Sequence, residues 1–326
     1  MDCDPGMDDA LALIVALKSP AVRVCGITSV SGNLPAARCY GNIHTVLQLM
    51  GAREAGEPGS PGGEPGIPTG RGGPRALVRE LAHDPFSHGA DGLGETGLLP
   101  AAVPTEPAYA PSVLVEQARR HARDGDPLTV VTLGPLTNIA LALHMEPRLP
   151  ELVDRLVVLG GAFGLQREAA LNATGDNPMS EWNFYVDPEA ARLVLHGGFD
   201  VVAVGLDVAT HRDLRLTEAD GQALRASGRA EARLAAGMLD FVTGRGFGSY
   251  CVLIDSCAIA AAARPELIDT VALHCDVETR DGLTRGQTVV DVRQNFRWQH
   301  LPQVLAARDA DFPGLRRFIV EMLLAG

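Results

Sequence analysis

The sequence predicts an α/β fold, a single large domain with a mostly parallel central sheet flanked by helices. Three observations predict it. The chain has 326 residues, a length that suits one large α/β domain or two smaller ones. Short β-branched and aliphatic runs alternate with apolar helical segments along the chain. The polar residues of interest fall where a strand-like run gives way to a helical one, which is where open α/β sheets bind their ligands.

The elements follow in order. A strand should precede Asp2-Cys3-Asp4, yet the sequence opens there, so the first strand is expected to be cut short by a misassigned start, with Asp2 and Asp4 held more loosely. Ala10 to Lys18 reads as an apolar helix. Val22 to Val30 is a β-branched run ending at Ser31-Gly32-Asn33, and Leu34 to Met50 reads as a helix. Glu54 to Gly66 is rich in Gly, Pro and Glu without periodicity, and reads as a flexible surface insertion in the domain. Leu128 to Leu133 is a strand stopped by Gly134-Pro135, and Leu136 to His144 continues as a helix. Leu156 to Leu159 precedes Gly160-Gly161, and Val201 to Leu206 ends at Asp207. Cys251 to Ile254 reads as a further strand before Asp255 and the helical Cys257 to Ala263. Asp4, Asn33, Leu133 and Asp255 therefore all stand at expected strand ends.

Composition narrows the class. Hydrophobic residues make up 46% and aromatics 5%, so the core is aliphatic. The net charge of -12 and the lack of a basic patch argue against nucleic-acid and membrane partners. Lys18 is the only lysine. Six scattered cysteines show no zinc-type spacing and read as reduced thiols of a cytoplasmic protein. No signal peptide or membrane-spanning apolar run is evident.

Asp2, Asp4, Asp8 and Asp9 fall within eight residues, in Asp2-Cys3-Asp4-Pro5-Gly6-Met7-Asp8-Asp9-Ala10. Packed carboxylates repel one another and raise each other's pKa unless a cation neutralises them. Pro5-Gly6 makes a tight turn that puts Asp8 and Asp9 in the first turn of a helix, where the dipole favours them. Helix capping alone needs one or two of these carboxylates and leaves Asp2 and Asp4 unexplained. Hard oxygen ligands point to calcium or magnesium.

That motif resembles the N-terminal signature of the inosine-uridine-preferring nucleoside hydrolases. Further segments resemble the family in order: Thr28 to Asn33, His88-Gly89-Ala90-Asp91-Gly92-Leu93-Gly94, Leu133-Gly134-Pro135-Leu136-Thr137-Asn138, Glu181-Trp182-Asn183, Asp187 to Ala190, and Thr284 to Asp291. The resemblance covers nearly the whole chain. It implies a nucleoside-hydrolase-like fold with a Rossmann-like core, hydrolysis of the N-glycosidic bond of ribonucleosides, and a tightly bound calcium ion. It places Asp4, Asp9, the Leu133 carbonyl and Asp255 on the metal, with Asp4 also taking the proton of a metal-bound water. Asp8, Asn33 and Asn183 would bond the ribose hydroxyls, Asp255 would lie beside the metal-held sugar, and Glu181 would grip the 5′-hydroxyl. His88 would stand by the nucleobase. A homo-oligomer, dimer or tetramer, is expected.

The chain departs from the family pattern at two internal positions. Many members carry histidine before the last metal-binding aspartate, where this chain has Ile254. His88, Tyr250 and His211 are candidates for the missing acid, or Trp182 stacks on the base instead. An asparagine expected six residues before Glu181 is replaced by Gly175, which makes Asn177 the candidate for the 5′-hydroxyl contact, with Asp176 second. Glycines 244, 246 and 248 mark a segment that could close over substrate, or an ordinary flexible loop. Two other readings stand beside the hydrolase. One is a non-catalytic ribose or nucleoside binder that has lost its leaving-group machinery at Ile254. The other is a magnesium-dependent phosphohydrolase of haloacid-dehalogenase type, because Asp2-x-Asp4 resembles that family's nucleophile pair; the Pro5-Gly6 turn speaks against it.

Overall fold

The computed structural model describes residues 1–52, 66–82, 84, 86–166, 172–293 and 295–325. The expected insertion lies outside the described residues except for Gly66. Among the described residues the strands are β1 (Asp2–Cys3), β2 (Ile27–Ser29), β3 (Thr69–Arg71), β4 (Leu128–Thr132), β5 (Val153–Leu159), β6 (Val201–Val204), β7 (Ile268–Val277), β8 (Thr288–Val290) and β9 (Gln303–Ala310). The α-helices are α1 (Met7–Lys18), α2 (Ala36–Leu49), α3 (Ala110–Arg123), α4 (Thr137–Met145), α5 (Leu149–Leu152), α6 (Trp182–Val186), α7 (Pro188–Leu195), α8 (Leu206–Ala209), α9 (Glu218–Ala226), α10 (Ala230–Gly244), α11 (Ser256–Ala263) and α12 (Phe312–Leu324).

The strands form one sheet in the order β3-β2-β1-β4-β5-β6-β9-β7-β8. Pairing is parallel from β3 to β9, while β7 runs antiparallel to both β9 and β8. Parallel strands need cover on both faces, and the sequence supplies aliphatic runs to meet it. On one face α1, α2, α10, α11 and α12 pack with Val131, Val157 and Val204. On the other, α3, α4 and α7 pack with Val130, Leu156 and Ala203. No helix among the described residues is long and apolar enough to cross a membrane.

Helix α1 is buried from Met7 to Ala16, as befits a helix that is apolar almost all round. It starts three residues before the expected Ala10, so Asp8 and Asp9 do lie in its first turn. At its other end the buried Lys18 donates to Glu231 Oε1 and to the Ala325 carbonyl, both at 2.6 Å. Strand β1 is two residues long, yet Asp2 pairs with Thr28 on one side and Thr132 on the other. Asp2 is fully buried and accepts from Thr28 Oγ1 (2.6 Å) and Asn138 Nδ2 (2.8 Å), so the expected loosening is absent at this position.

Two expectations need correction. Cys251 to Ile254 is not a strand. Ser249–Val252 forms a single 3-10 turn, and Asp255 is the N-cap residue of α11. A short apolar run reads alike as a buried strand or a buried turn; here Val252 and Leu253 are swallowed by the core in either form. Of Val22 to Val30, only Ile27–Ser29 pairs as a strand.

Candidate active site

From β1 the chain moves outward to β2 and β3, then returns to place β4 on the other side of β1. Such a reversal opens a crevice at the carboxyl ends of the two diverging strands. Asp4 follows β1 there, Leu133 follows β4, and the N-terminus of α1 points into the same place. A cavity of about 390 Å³ opens at this point. Asp8, Asn33, His88, Leu133, Glu181, Asn183 and Asp255, all expected in the site, line it.

Its floor is acidic. Asp8, Asp9 and Asp255 each offer a carboxylate oxygen, and these atoms lie within 4.8 Å of one another. Asp9 is fixed by the backbone N–H groups of Asp4 (3.0 Å) and Gly6 (3.1 Å) and by Asn33 Nδ2 (3.2 Å). Asp4 is fully buried; its Oδ2 accepts the Asn33 N–H at 2.6 Å. Two glycines make room for this carboxylate. A Cβ on Gly32 would stand 2.0 Å from Asp4 Oδ2, and one on Gly134 would stand 2.3 Å from Asp4 Oδ1. The Gly residues of Ser31-Gly32-Asn33 and Leu133-Gly134-Pro135 are thus required by close approach to Asp4.

The electrostatics are those of a site built around positive charge. Burial raises the pKa of Asp8 to about 7. Burial and then the Asp8 charge raise Asp9 to about 6. Burial, followed by the neighbouring carboxylates, pushes Asp4 and Asp255 well above the usual range. Asp4 Oδ1 and Asp8 Oδ1 are buried with no hydrogen-bond partner. Unpaired buried acceptors are costly, and a hard cation satisfies all of them at once. The donor set therefore fits a divalent metal ion. Asp8, expected at the sugar, belongs to the tight trio, and Asp4, expected on the metal, lies outside it.

Neutral polar groups stand above the floor. Asn183 donates from Nδ2 to the carbonyls of Leu133 (2.6 Å) and Leu159 (3.1 Å), which ties the ends of β4 and β5 together. Glu181 caps α6: Oε1 accepts the Asn183 N–H, and Oε2 accepts those of Phe184 and Gly161. His88 Nδ1 accepts the Met7 N–H at 3.2 Å and lies 3.7 Å from Asp8 Oδ1. With Nδ1 engaged as an acceptor, the ring proton sits on Nε2. Burial lowers the His88 pKa and favours this neutral form.

Other expected residues lie elsewhere. Asn177 is not among the lining residues; its side chain donates to the Arg285 carbonyl and accepts the Met179 N–H. His211 is likewise outside, stacked on Phe312 at 4.0 Å. Trp182 and Ile254 do line the cavity, and so does Tyr250, whose hydroxyl donates to Asn172 Oδ1 at 3.4 Å. Asn172, Thr174 and Thr210 also line the cavity, and no motif in the sequence marks them. Asn172 Nδ2 donates to the Thr210 carbonyl (3.2 Å) and hydroxyl (3.1 Å), a contact between segments that no local spacing signals.

The chain is similar in sequence and fold to known proteins. A family model described as inosine-uridine preferring nucleoside hydrolase matches residues 1–317. The chain is 36% identical to the pyrimidine-specific ribonucleoside hydrolase RihA of Citrobacter koseri, across 99% of this chain and 96% of that protein. It is 38% identical to RihA of Escherichia coli O9:H4, across 89% of this chain and 87% of that one. Among solved structures, the plant nucleoside hydrolase PpNRh1 superposes with a TM-score of 0.83 at 29% identity, covering 100% of this chain and 98% of its own. A purine-preferring ribonucleoside hydrolase from Gardnerella vaginalis gives 0.80 at 26% identity, covering 99% and 96%.

Proposed function

This chain belongs to the inosine-uridine preferring nucleoside hydrolase family and hydrolyses the N-glycosidic bond of ribonucleosides, and from that premise we propose how its own residues do so. The observation that carries the proposal is the carboxylate cluster at the β1/β4 crevice, with its unpartnered buried oxygens. Asp8, Asp9 and Asp255, with Asp4 and the Leu133 carbonyl as further oxygen donors, would hold calcium. When bound, the ion supplies a Lewis acid that grips ribose hydroxyls and lowers the pKa of a water.

The protein does the rest. Asp4 Oδ1, the buried oxygen without a hydrogen-bond partner on a carboxylate whose other oxygen is anchored, takes the proton of the attacking water. Asp8, Asn33 and Asn183 bond the ribose hydroxyls, and Glu181 turns its remaining acceptor capacity to the 5′-hydroxyl. As the C–N bond opens, its electron pair leaves with the base and the ribose gains oxocarbenium character. The surrounding carboxylates stabilise that positive charge. On the base side, Ile254 offers no proton. His88 and Tyr250 both line the cavity, and His88 Nε2 and the Tyr250 hydroxyl are the donors assigned to the departing nucleobase. Asn172 takes the place on the wall for which Asn177 was the sequence candidate.

Release of free base and ribose from a nucleoside panel tests this reading. Uridine and cytidine lead the panel, because relatives at 36 to 38% identity are named pyrimidine-specific; purine nucleosides complete it. Exhaustive chelation should abolish release and calcium should restore it. Unchanged turnover after chelation, or in Asp4→Asn, overturns the proposal. Tight nucleoside binding without release from any member would instead establish the non-catalytic binder. The family match sets the phosphohydrolase reading aside. Free thiols at all six cysteines suit a reducing, cytoplasmic compartment, and a homo-oligomer remains part of the proposal.

A further inference from the structure

Two buried polar side chains with no part in the chemistry above, Asp207 and Thr288, meet at the turn after β5. Strand β5 runs out into Gly160-Gly161-Ala162-Phe163. Three consecutive backbone N–H groups there each donate to a side-chain oxygen of a different segment. Gly161 donates to Glu181 Oε2 at 3.0 Å, Ala162 to Thr288 Oγ1 at 3.1 Å, and Phe163 to Asp207 Oδ2 at 2.7 Å. Asp207 Oδ1 also accepts from Leu165 (2.6 Å) and Gln166 (2.9 Å). Buried backbone donors need partners, and past the end of a strand only side chains can supply them. Asp207 is 1% and Thr288 5% exposed, and neither lines the cavity.

This turn is the seat of Glu181. The Glu181 carboxylate accepts from the backbone N–H groups of Asn183 and Phe184, which belong to its own helix α6, and from that of Gly161, which does not. The Gly161 N–H therefore fixes where the carboxylate stands relative to the sheet. Gly161 has a φ of 82°, in the left-handed region, where a glycine peptide is otherwise free to turn. Its neighbours remove that freedom. The Gly161 carbonyl accepts the Leu206 N–H at 3.0 Å, and the next two N–H groups are held by Thr288 and Asp207. A buried carboxylate is costly unless it is fully hydrogen-bonded, and three amide donors make Asp207 a firm anchor. Thr288 lies in the Thr284 to Asp291 motif, which contributes no side chain to the cavity wall.

We propose that Asp207 and Thr288 are positioning residues: they hold the turn at Gly161 to Phe163, and through it they aim Glu181 at the 5′-hydroxyl of the ribose. This rests on the reading of Glu181 given above and adds the two residues that set its position.

Parallel steady-state kinetics on the best nucleoside of the panel and on its 5′-deoxy counterpart test it. The 5′-deoxy substrate lacks the group at which Glu181 is aimed, so a lost aim costs it little, whereas a general loss of structure costs both substrates alike. Thr288→Val removes the hydroxyl and keeps the β-branched shape that suits a strand; kcat/KM should fall roughly 5- to 10-fold on the nucleoside and about 2-fold or less on the 5′-deoxy substrate. Thr288→Ser keeps the oxygen and should restore wild-type rates on both. Asp207→Asn turns a donor toward backbone donors and should lose about 10- to 100-fold with the same selectivity. Thr288→Val decides the outcome if Asp207→Asn does not fold. Glu181→Gln is the reference, and its loss should likewise be confined to the nucleoside. Equal losses of Glu181→Gln on both substrates overturn the 5′-hydroxyl reading, and this inference with it. A selective loss in Glu181→Gln, with Thr288→Val unimpaired or equally impaired on both substrates, overturns this inference alone.

Discussion

Gly134→Ala probes the site with one methyl group. Gly134 does not have a positive φ, so its backbone accepts alanine without strain. The obstacle is Asp4. The new Cβ would lie 2.3 Å from Asp4 Oδ1 and 2.6 Å from Val30 Cγ1, where ordinary contact begins at 3.4 Å. Because Asp4 Oδ2 is tethered to the Asn33 N–H at 2.6 Å, the carboxylate can make room only by swinging Oδ1 away. That swing must be about 1 Å, and a misplacement of this size costs on the order of 100-fold in rate. Overpacking adds about 1–3 kcal/mol of destabilisation. Steady-state kinetics on the best nucleoside of the panel, at saturating calcium and with a thermal melt, should show kcat down about 100-fold. Gly41→Ala is the matched control. Nothing lies within 4 Å of its new Cβ, and in the middle of α2 it should gain about 0.5–1 kcal/mol with full activity. If folded Gly134→Ala turns over like the wild type, the position of Asp4 Oδ1 does not limit the reaction, and its assignment as the base falls.

Three further outcomes follow from the same geometry. Tyr250→Phe should lower kcat on natural nucleosides by about 10- to 100-fold, the worth of one hydrogen bond to a developing anion, yet leave p-nitrophenyl riboside almost unaffected because that leaving group needs no help. Equal losses on both substrates would show that the ring only packs. Asn172→Ala should reduce kcat/KM more than Asn177→Ala, because Asn172 lines the cavity and Asn177 does not; the reverse order in parallel kinetics would return the contact to Asn177. Burial resists the ionisation of Glu231, but hydrogen bonds from Lys18 and Arg229 outweigh it and hold the pKa at about 2, against 4.5 ordinarily. A depressed carboxylate stabilises the fold above pH 4.5 and loses that contribution as pH falls from there toward 2, so Glu231→Gln should cost up to about 3 kcal/mol at pH 7. Urea melts should show this gap narrowing below pH 4.5, and a gap independent of pH would refute the ion-pair account.

Sequence reading succeeded where the physics is local. Asp8 and Asp9 fall in the first turn of α1 because a Pro-Gly turn and an apolar run are written in adjacent residues. Strands β4, β5 and β6 were visible because buried parallel strands are nearly continuous aliphatic runs. It failed where the outcome depends on what packs alongside. Cys251 to Ile254 has strand-like residues but becomes a 3-10 turn, because that is the shape that fits beneath α1 and α10 and delivers Asp255 to the floor. The antiparallel pair of β7 and β9 and the short edge strands β3 and β8 carried no comparable signal, since short or half-exposed strands are defined by their partners.

The sequence by itself determined the chemistry available: clustered hard carboxylates, their helix-start setting and an order of motifs that belongs to one family. Only the tertiary structure decided how that chemistry is divided. It drew Asp8, Asp9 and Asp255 into one trio, seated Asp4 between Gly32 and Gly134, and placed Asn172 and Tyr250, not Asn177 and His211, on the cavity wall. The reason is physical. Residue type and local spacing set what a side chain can do, but which oxygens share a cation and which donors face the base depend on distances of a few ångströms between segments more than a hundred residues apart, and packing alone sets those distances.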